Sequence, residues 1–581
     1  MTTQDATQAG LMELRATLSR SRAYFWFIGL FSIFVNLLML TGPLYMLQVY
    51  DSVLGSQSVP TLISLTLLVA FMYAMMGFLD HARARVMARV GAQFQSSLDQ
   101  RVFEAQLRVP MLSLYAEKDL KLGGLRDLSA VQRALTSPVF MSLYDLPFAP
   151  VFLFGIFVFH PYLGVLAIAG GTILVILALA NRLVTKESLI TSQSASHQAD
   201  ILSDVMAKES EMIQSMGMQK AAFARWNALR GNALDTQILG SDAQGVFSTT
   251  IKITRLFLQS AMLGLGAYLV LQKQMTPGAM IAGSILLGRA LAPIEQLVNQ
   301  WSVIEQGRNS YSSLAKLLGF VPVQGARTSL PKPRAKLEAQ QLSVVPPGQK
   351  HATLKMVNFV IEPGSAVGVI GPSGSGKTTL ARAITGVWRP VSGKVRLDGA
   401  ALDQYDSQEL GSYIGYLPQR VQLFDGTIRD NIARLSPDPD DRKVVEAAQK
   451  AGAHDMILSM PQGYDTSVSS GSGMLSGGQI QRIGLARAMY GDPVIIVLDE
   501  PNSNLDNAGN EALNTAIRSM KDDGKSILIM AHRPAAIQEC DKLMVIEGGT
   551  LRAFGPKDDV LRQMVANHQD IQSSQTQAGV R

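Results

Sequence analysis

The sequence predicts two folds in one chain: an all-α membrane half of six helices, followed by a soluble α/β half. Three observations carry this. Long runs without a charged residue fill the first half, the second half alternates short apolar strands with helices, and the segment GPSGSGKT (371–378) stands between one such strand and one such helix. At 581 residues the chain exceeds one ordinary domain, so two parts are expected on length alone.

Residues 24–50 contain no Asp, Glu, Lys, Arg or His, and similar runs cover 61–79, 146–159, 162–180 and 256–272. Runs near twenty residues match a bilayer core of about 30 Å at about 1.5 Å per residue. The run from Leu146 is short, but Asp145 is the only charge between Arg133 and His160, so that span starts upstream. A sixth span, from Pro277, is interrupted by Arg289. The first run is longer than the apolar region of a cleavable signal peptide and no small-residue cleavage pattern follows it, so it reads as a membrane helix. Arg15, Arg20 and Arg22 precede span one and nine Lys or Arg lie from Arg83 to Arg133, whereas the linkers on the other side carry only Lys273. The positive-inside rule therefore puts the N-terminus, two long loops and the soluble half in the cytoplasm.

Those loops, 81–142 and 181–245, keep helical periodicity and read as spans continuing into the cytoplasm, with tips near 112–127 and 208–220 expected to meet the soluble half. The membrane domain is expected over 1–320, a Pro/Gly/Ser-rich linker over 321–336, the soluble domain over 337–566 and a polar tail over 567–581. One cysteine, Cys540, excludes an internal disulfide and a cysteine-rich metal site. The net charge of +6 is accounted for by the basic flanks of the spans, and nothing points to nucleic acid.

In the soluble half, SAVGVI (365–370) reads as a strand and KTTLARAITGVW (377–388) as a helix, the context a phosphate-binding loop requires. Gly374 and Gly376 let the backbone curl, so that successive amides of the loop Gly371, Pro372, Ser373, Gly374, Ser375, Gly376 (all but the proline), with the helix start Lys377, Thr378 and Thr379 behind them, surround an anion. Lys377 adds a point charge between the terminal phosphates, and the Thr378 hydroxyl suits magnesium, which arrives with the nucleotide. VIIVL (494–498) is a strand buried on both faces, ending in Asp499 and Glu500. At such a carboxyl end Asp499 is placed to hold magnesium through water, and Glu500 to polarise the water that attacks the terminal phosphate.

LSGGQ (475–479), in this order with the other segments, resembles the ATP-binding cassette family. The resemblance implies that Gln419 in YLPQ senses the terminal phosphate and helps hold magnesium, that Asp506 in NSNLD is the D-loop aspartate, and that His532 is the switch histidine. It also implies that Ser476, Gly477, Gly478 and Gln479 close on ATP held by a second copy, so one cassette and six spans make a homodimer. Two positions depart from the pattern: Pro346 stands where many relatives stack an aromatic on adenine, and Ser470 where relatives that export proteins carry an acid.

TGPLYMLQVYDSVL (41–54) and GRALAPIEQL (288–297) are similar to the type I secretion exporters of the protease and lipase branch. This implies an ATP-driven inner-membrane permease moving a polypeptide with an uncleaved C-terminal signal, a membrane-fusion adaptor and an outer-membrane tunnel protein as partners, and contact with membrane lipid. Too few residues precede span one for the N-terminal peptidase-like domain of other branches. An exporter of lipids or small amphiphiles shares every ATPase motif and stays open as the alternative; a soluble cassette ATPase acting as a scaffold or on DNA is excluded by the spans. Counted inward from the outer loops, Asp145 and Arg289 both fall about 18 to 22 Å deep by helical rise. Charges at that depth face a bundle interior or a water-filled route, so a pair lining the pathway is expected, within or between subunits, against separate snorkelling of each.

Overall fold

In the computed structural model the described residues are 3–112, 123–323, 325, 327, 329–469, 475–531 and 534–563. The chain passes from a membrane unit to a soluble unit between Pro322 and Val323. The described residues of the membrane unit are mainly helical, the principal helices being α1 (Thr3–Ser19), α2 (Arg22–Leu38), α3 (Thr41–Gln48), α4 (Val59–Leu112), α5 (Leu125–Thr136), α6 (Pro138–Asp145), α7 (Ala149–Phe159), α8 (Pro161–Lys208), α9 (Gln219–Leu271), α10 (Pro277–Asn299) and α11 (Trp301–Phe320). Among the described residues six helical stretches are long and apolar enough to span a bilayer, as the charge-free runs predict. The loops read as helical extensions are that: α4, α8 and α9 run for 54, 48 and 53 residues.

Helix starts at the outer loops follow capping rules. Pro161 and Pro277 open their helices, His160 Nδ1 accepts from the Tyr162 amide at 3.2 Å, and Thr276 Oγ1 accepts from the Ala279 amide at 3.2 Å. A π-helical turn, Val49–Val53, follows α3 and aims Asp51 at the start of α10, where it accepts from Thr276 Oγ1 at 2.7 Å and from the Gly278 amide at 3.0 Å. At the other end of the unit α1 approaches α11 closely at two glycines: a Cβ on Gly10 would stand 1.9 Å from the Ala315 carbonyl, and one on Gly319 1.8 Å from that of Ala6. Arg101 of α4 pins this crossing, pairing with Glu13 at 3.0 Å and donating to the Leu318 and Val321 carbonyls at the end of α11.

The expected pair of Asp145 and Arg289 does not form within the chain. Asp145 is gripped by both arms of the Arg83 guanidinium, at 2.7 and 3.1 Å, and by Asn36 Nδ2 at 2.8 Å. Arg83 also reaches the exposed Asp80 at 2.6 Å and the buried Ser32 at 3.1 Å, so one cluster around the buried guanidinium joins α2, α4 and α6. Equal counts from the loops mislead because the outer ends of the helices are not level. Gly283 faces Phe159, Gly155 faces Leu286, and Ser142 Oγ donates to Gln296 Oε1 at 2.7 Å. That register sets Arg289 about two turns, roughly 10 Å, outward of Asp145.

The soluble unit holds two sheets. Strands β1 (Leu337–Val344), β2 (Leu354–Ile361), β4 (Ser392–Leu397) and β5 (Ala400–Ala401) form an antiparallel sheet in the order β2-β1-β4-β5, β3 being Ala366–Ile370. With β6 (Ile414–Leu417), β7 (Gly426–Thr427), β8 (Ser467–Val468), β9 (Ile495–Asp499), β10 (Ser526–Met530), β11 (Lys542–Glu547) and β12 (Thr550–Pro556) defined, the second sheet runs β12-β11-β3-β10-β9-β6. It is parallel except for β12. All five residues of β9 and of β10 are buried, as a continuous apolar run requires.

The described part of the Pro/Gly-rich linker is fastened to the soluble unit. Arg327 donates to the Tyr405 carbonyl, Ser329 Oγ to Glu409 at 2.6 Å and the Arg334 amide to Asp398 at 2.9 Å. Lys332 pairs with Asp492 at 3.3 Å, and Ser526 Oγ donates to the Ala335 carbonyl. Cys540 is a packed thiol, 4% exposed, and burial pushes it up to about 12.

Candidate functional site

Register in the parallel sheet levels four strand ends. Val369 pairs with Met530, Met530 with Asp499, and Leu417 with Leu498, so the loops after β3, β6, β9 and β10 leave the same edge. Such an edge is where open α/β sheets bind ligands. After β3 the chain turns through Gly371, Gly374 and Gly376, with φ of 159°, 78° and 110°, into α12 (Lys377–Ile384). Gly374 and Gly376 occupy backbone that favours glycine. At Gly376 a Cβ would also stand 2.8 Å from Leu354 Cδ2.

Lys377 Nζ lies folded over this loop, donating to the Gly371 and Pro372 carbonyls at 2.8 and 3.0 Å. Burial pulls its ammonium below the usual lysine range, and the nearby Glu500 and Asp499 carboxylates oppose that. Asp499 is 1% exposed; burial raises its carboxyl above the ordinary range, against a hydrogen bond from Thr378. Asp499 Oδ2 and the Ser375 hydroxyl are buried without hydrogen-bond partners among the described residues. Unsatisfied oxygens beside a hydroxyl are a donor set that fits a hard divalent cation.

Glu500 closes the group. Gln419 Nε2 donates to its carboxylate at 3.1 Å, so the structure brings these two together. Its φ is +53°, in the left-handed region that costs a side chain of this kind on the order of 1 kcal/mol. The bend is held from both sides: the Glu500 amide donates to the Met530 carbonyl at 3.0 Å, and Gln481 Nε2 donates to the Glu500 and Pro501 carbonyls at 3.3 and 2.5 Å. Gln481, 2% exposed, is a positioning residue that the sequence reading missed; its signal was a polar side chain on the buried face of a helix.

Residues 475–479 stand apart from this group. Ser476 caps α13 (Gly477–Met489) in a reciprocal box with Gln479, the Gln479 amide donating to Ser476 Oγ at 3.3 Å and the Ser476 amide to Gln479 Oε1 at 2.8 Å. Ser476 and Gly477 are exposed, and a Cβ on Gly478 would stand 3.0 Å from the Asn504 carbonyl. Among the described residues no hydrogen bond joins 476–479 to 371–379. Asp506 caps α14 (Asn507–Asp522) by accepting from the Gly509 amide at 2.8 Å and pairs with Arg482 at 2.8 Å. That amide bond, helped by Arg482, holds the Asp506 carboxyl below its usual range. Pro346 is buried in a turn closed by the Gln349 amide at 3.1 Å. His532 and Ser470 lie outside the described residues.

A transmembrane helical unit joined to this phosphate-loop fold defines an ABC transporter, and the chain belongs to that family. The family's transmembrane region matches residues 25–291 and its ATP-binding domain residues 354–503, which makes the protein an ATP-hydrolysing translocase, multi-pass in the inner membrane with the ATPase domain cytoplasmic. It is similar to the "Type I secretion system ATP-binding protein PrsD" of Rhizobium meliloti (strain 1021), 41% identical over 554 residues and 95% of each chain. The "Cyclolysin secretion/processing ATP-binding protein CyaB" of Bordetella pertussis (strain Tohama I) is 29% identical over 540 residues, 92% of this chain and 75% of that one. Among solved structures, a bacterial Atm1-family ABC exporter with ATP bound superposes with a TM-score of 0.79 at 22% identity, over 94% of this chain and 96% of that one, and so shares the fold.

Proposed function

We propose that the protein is the inner-membrane permease and ATPase of a type I secretion system, exporting a polypeptide that carries a C-terminal signal. The observation that carries this reading is the 41% identity to PrsD, extending over 95% of both chains and so through the membrane half as well as the ATPase. The domain limits would be 1–320, 337–566 and a tail from 567, joined through 321–336. The working unit would be a homodimer joined by a membrane-fusion adaptor and an outer-membrane tunnel protein, in contact with lipid.

In this reading Gly371, Pro372, Ser373, Gly374, Ser375, Gly376, Lys377, Thr378 and Thr379 bind the phosphates of ATP. Lys377 exchanges the Gly371 and Pro372 carbonyls for phosphate oxygens. Thr378, Gln419 and Asp499 would hold magnesium, which supplies charge neutralisation on the phosphates when bound. Glu500 orients and polarises the attacking water, with Gln419 on its carboxylate and Gln481 fixing its backbone; His532 would contact the terminal phosphate. Ser476, Gly477, Gly478, Gln479 and Asp506 complete the site of the second copy, which their exposure and separation from the phosphate loop permit. Two shared ATP molecules then favour the closed dimer, and hydrolysis removes that preference.

The test is purification of the Glu500→Gln protein from detergent-solubilised cells, with bound cargo identified by mass. Recovery of one large polypeptide is the expected result; recovery of a lipid or small amphiphile alone overturns the reading.

A further inference from the structure

Arg289 is left without a counter-charge in the middle of α10. In the apolar parts of the described spans, Asp51 accepts from Thr276 and Gly278, Asp80 and Asp145 share Arg83, and Glu295 pairs with Arg255 at 3.0 Å. No hydrogen bond or ion pair reaches Arg289 among the described residues.

Position narrows what can meet it. The Asp51 contacts level the start of α10 with the outer end of the first two spans, and Arg83 lies about 36 Å of helical rise inward from Val59. Arg289 sits about 18 Å inward from Pro277 and about 15 Å outward from Asn299, in the middle of α10 and outward of the Arg83–Asp145 cluster. Leu286, Leu287, Ala290 and Leu291 are buried, whereas Arg289 and Ala292 are exposed beside half-buried Gly288, so the guanidinium stands on the uncovered stripe of α10. An ionisable group inside a membrane faces a partner or a water-filled route. Its planar fork matches a carboxylate in two parallel hydrogen bonds.

We propose that Arg289 binds a carboxylate of the exported polypeptide, one guanidinium from each copy serving the route through the membrane. This rests on the reading of the cargo as a polypeptide. The test uses the full-length protein in phospholipid nanodiscs and two labelled unstructured peptides, identical except that Asp and Glu in one are Asn and Gln in the other. The wild type is expected to bind the acidic peptide about tenfold more tightly, the scale of one charged hydrogen bond. Arg289→Gln should bind the two alike, and Arg289→Lys, which keeps the charge but not the fork, should show a reduced preference, a partial rescue that a folding defect would not give. If the wild type binds both peptides equally, or the preference survives in Arg289→Gln, polypeptide export stands and the role of Arg289 falls. Binding of neither peptide removes the polypeptide reading and this proposal with it. A phospholipid retained by the wild type and lost from Arg289→Gln in native mass spectrometry, with no peptide preference, gives the site to lipid and overturns the proposal.

Discussion

Glu500→Gln binds ATP about as well as the wild type and hydrolyses it roughly a thousandfold more slowly, within the range for loss of a general base. The substitution keeps shape and leaves the Gln481 contacts to the backbone carbonyls of Glu500 and Pro501 untouched, because they do not involve the carboxylate. It removes the one carboxylate that Gln419 contacts at the open edge of the sheet. Lys377→Ala separates the two functions: its ammonium is the positive charge folded over the phosphate loop, so nucleotide binding itself weakens, by about tenfold or more for a charged hydrogen bond. Nucleotide titration and steady-state phosphate release measure both. Normal hydrolysis by Glu500→Gln would remove Glu500 from the chemistry.

The second large effect concerns the cluster around Arg83. Its side chain is 7% exposed and that of Asp145 15%, so replacing one leaves the other charge buried with fewer partners. Breaking such a pair costs about 3–5 kcal/mol, whereas replacing both with apolar residues of similar volume is often neutral. Arg83→Met alone is therefore expected to lower the thermal midpoint of the detergent-solubilised protein sharply, and Arg83→Met with Asp145→Leu to recover most of the loss. Equal stability of the single variant and the wild type would mean that the cluster does not hold α2, α4 and α6 together.

The sequence made the six spans legible because a charge-free run of sufficient length has few other stable fates, and it made the long helical extensions legible because their periodicity continues past the membrane. The ATPase edge was legible for a similar reason: Gly374, Gly376, Asp499 and Glu500 stand at strand ends, where backbone freedom and charge both have a use. The partner of Asp145 was not legible. Counting from loops fixes a position along one helix but not the register between helices, and that register is set by packing such as Gly283 against Phe159 and Gly155 against Leu286. The fastening of the linker was not legible either. Its Pro and Gly describe a backbone without regular structure, while its fastening depends on side chains meeting Tyr405, Glu409, Asp492 and Ser526, far away in sequence. Gln481 was passed over because a glutamine in a helix looks ordinary until the strained backbone it holds is seen.

The central claim is that ATP bound on one copy is covered by Ser476 to Gln479 of a second. Cys540 is the chain's only cysteine, buried and with its thiol pushed up to about 12, so cysteines introduced elsewhere are the reactive ones. Ser373→Cys and Ser476→Cys, placed together in the Glu500→Gln protein, give the direct measurement: oxidative cross-linking in nanodiscs with and without ATP and magnesium. The account predicts a covalent dimer that forms only with nucleotide and disappears when either cysteine is omitted. A chain that stays monomeric on the non-reducing gel with ATP bound would contradict it.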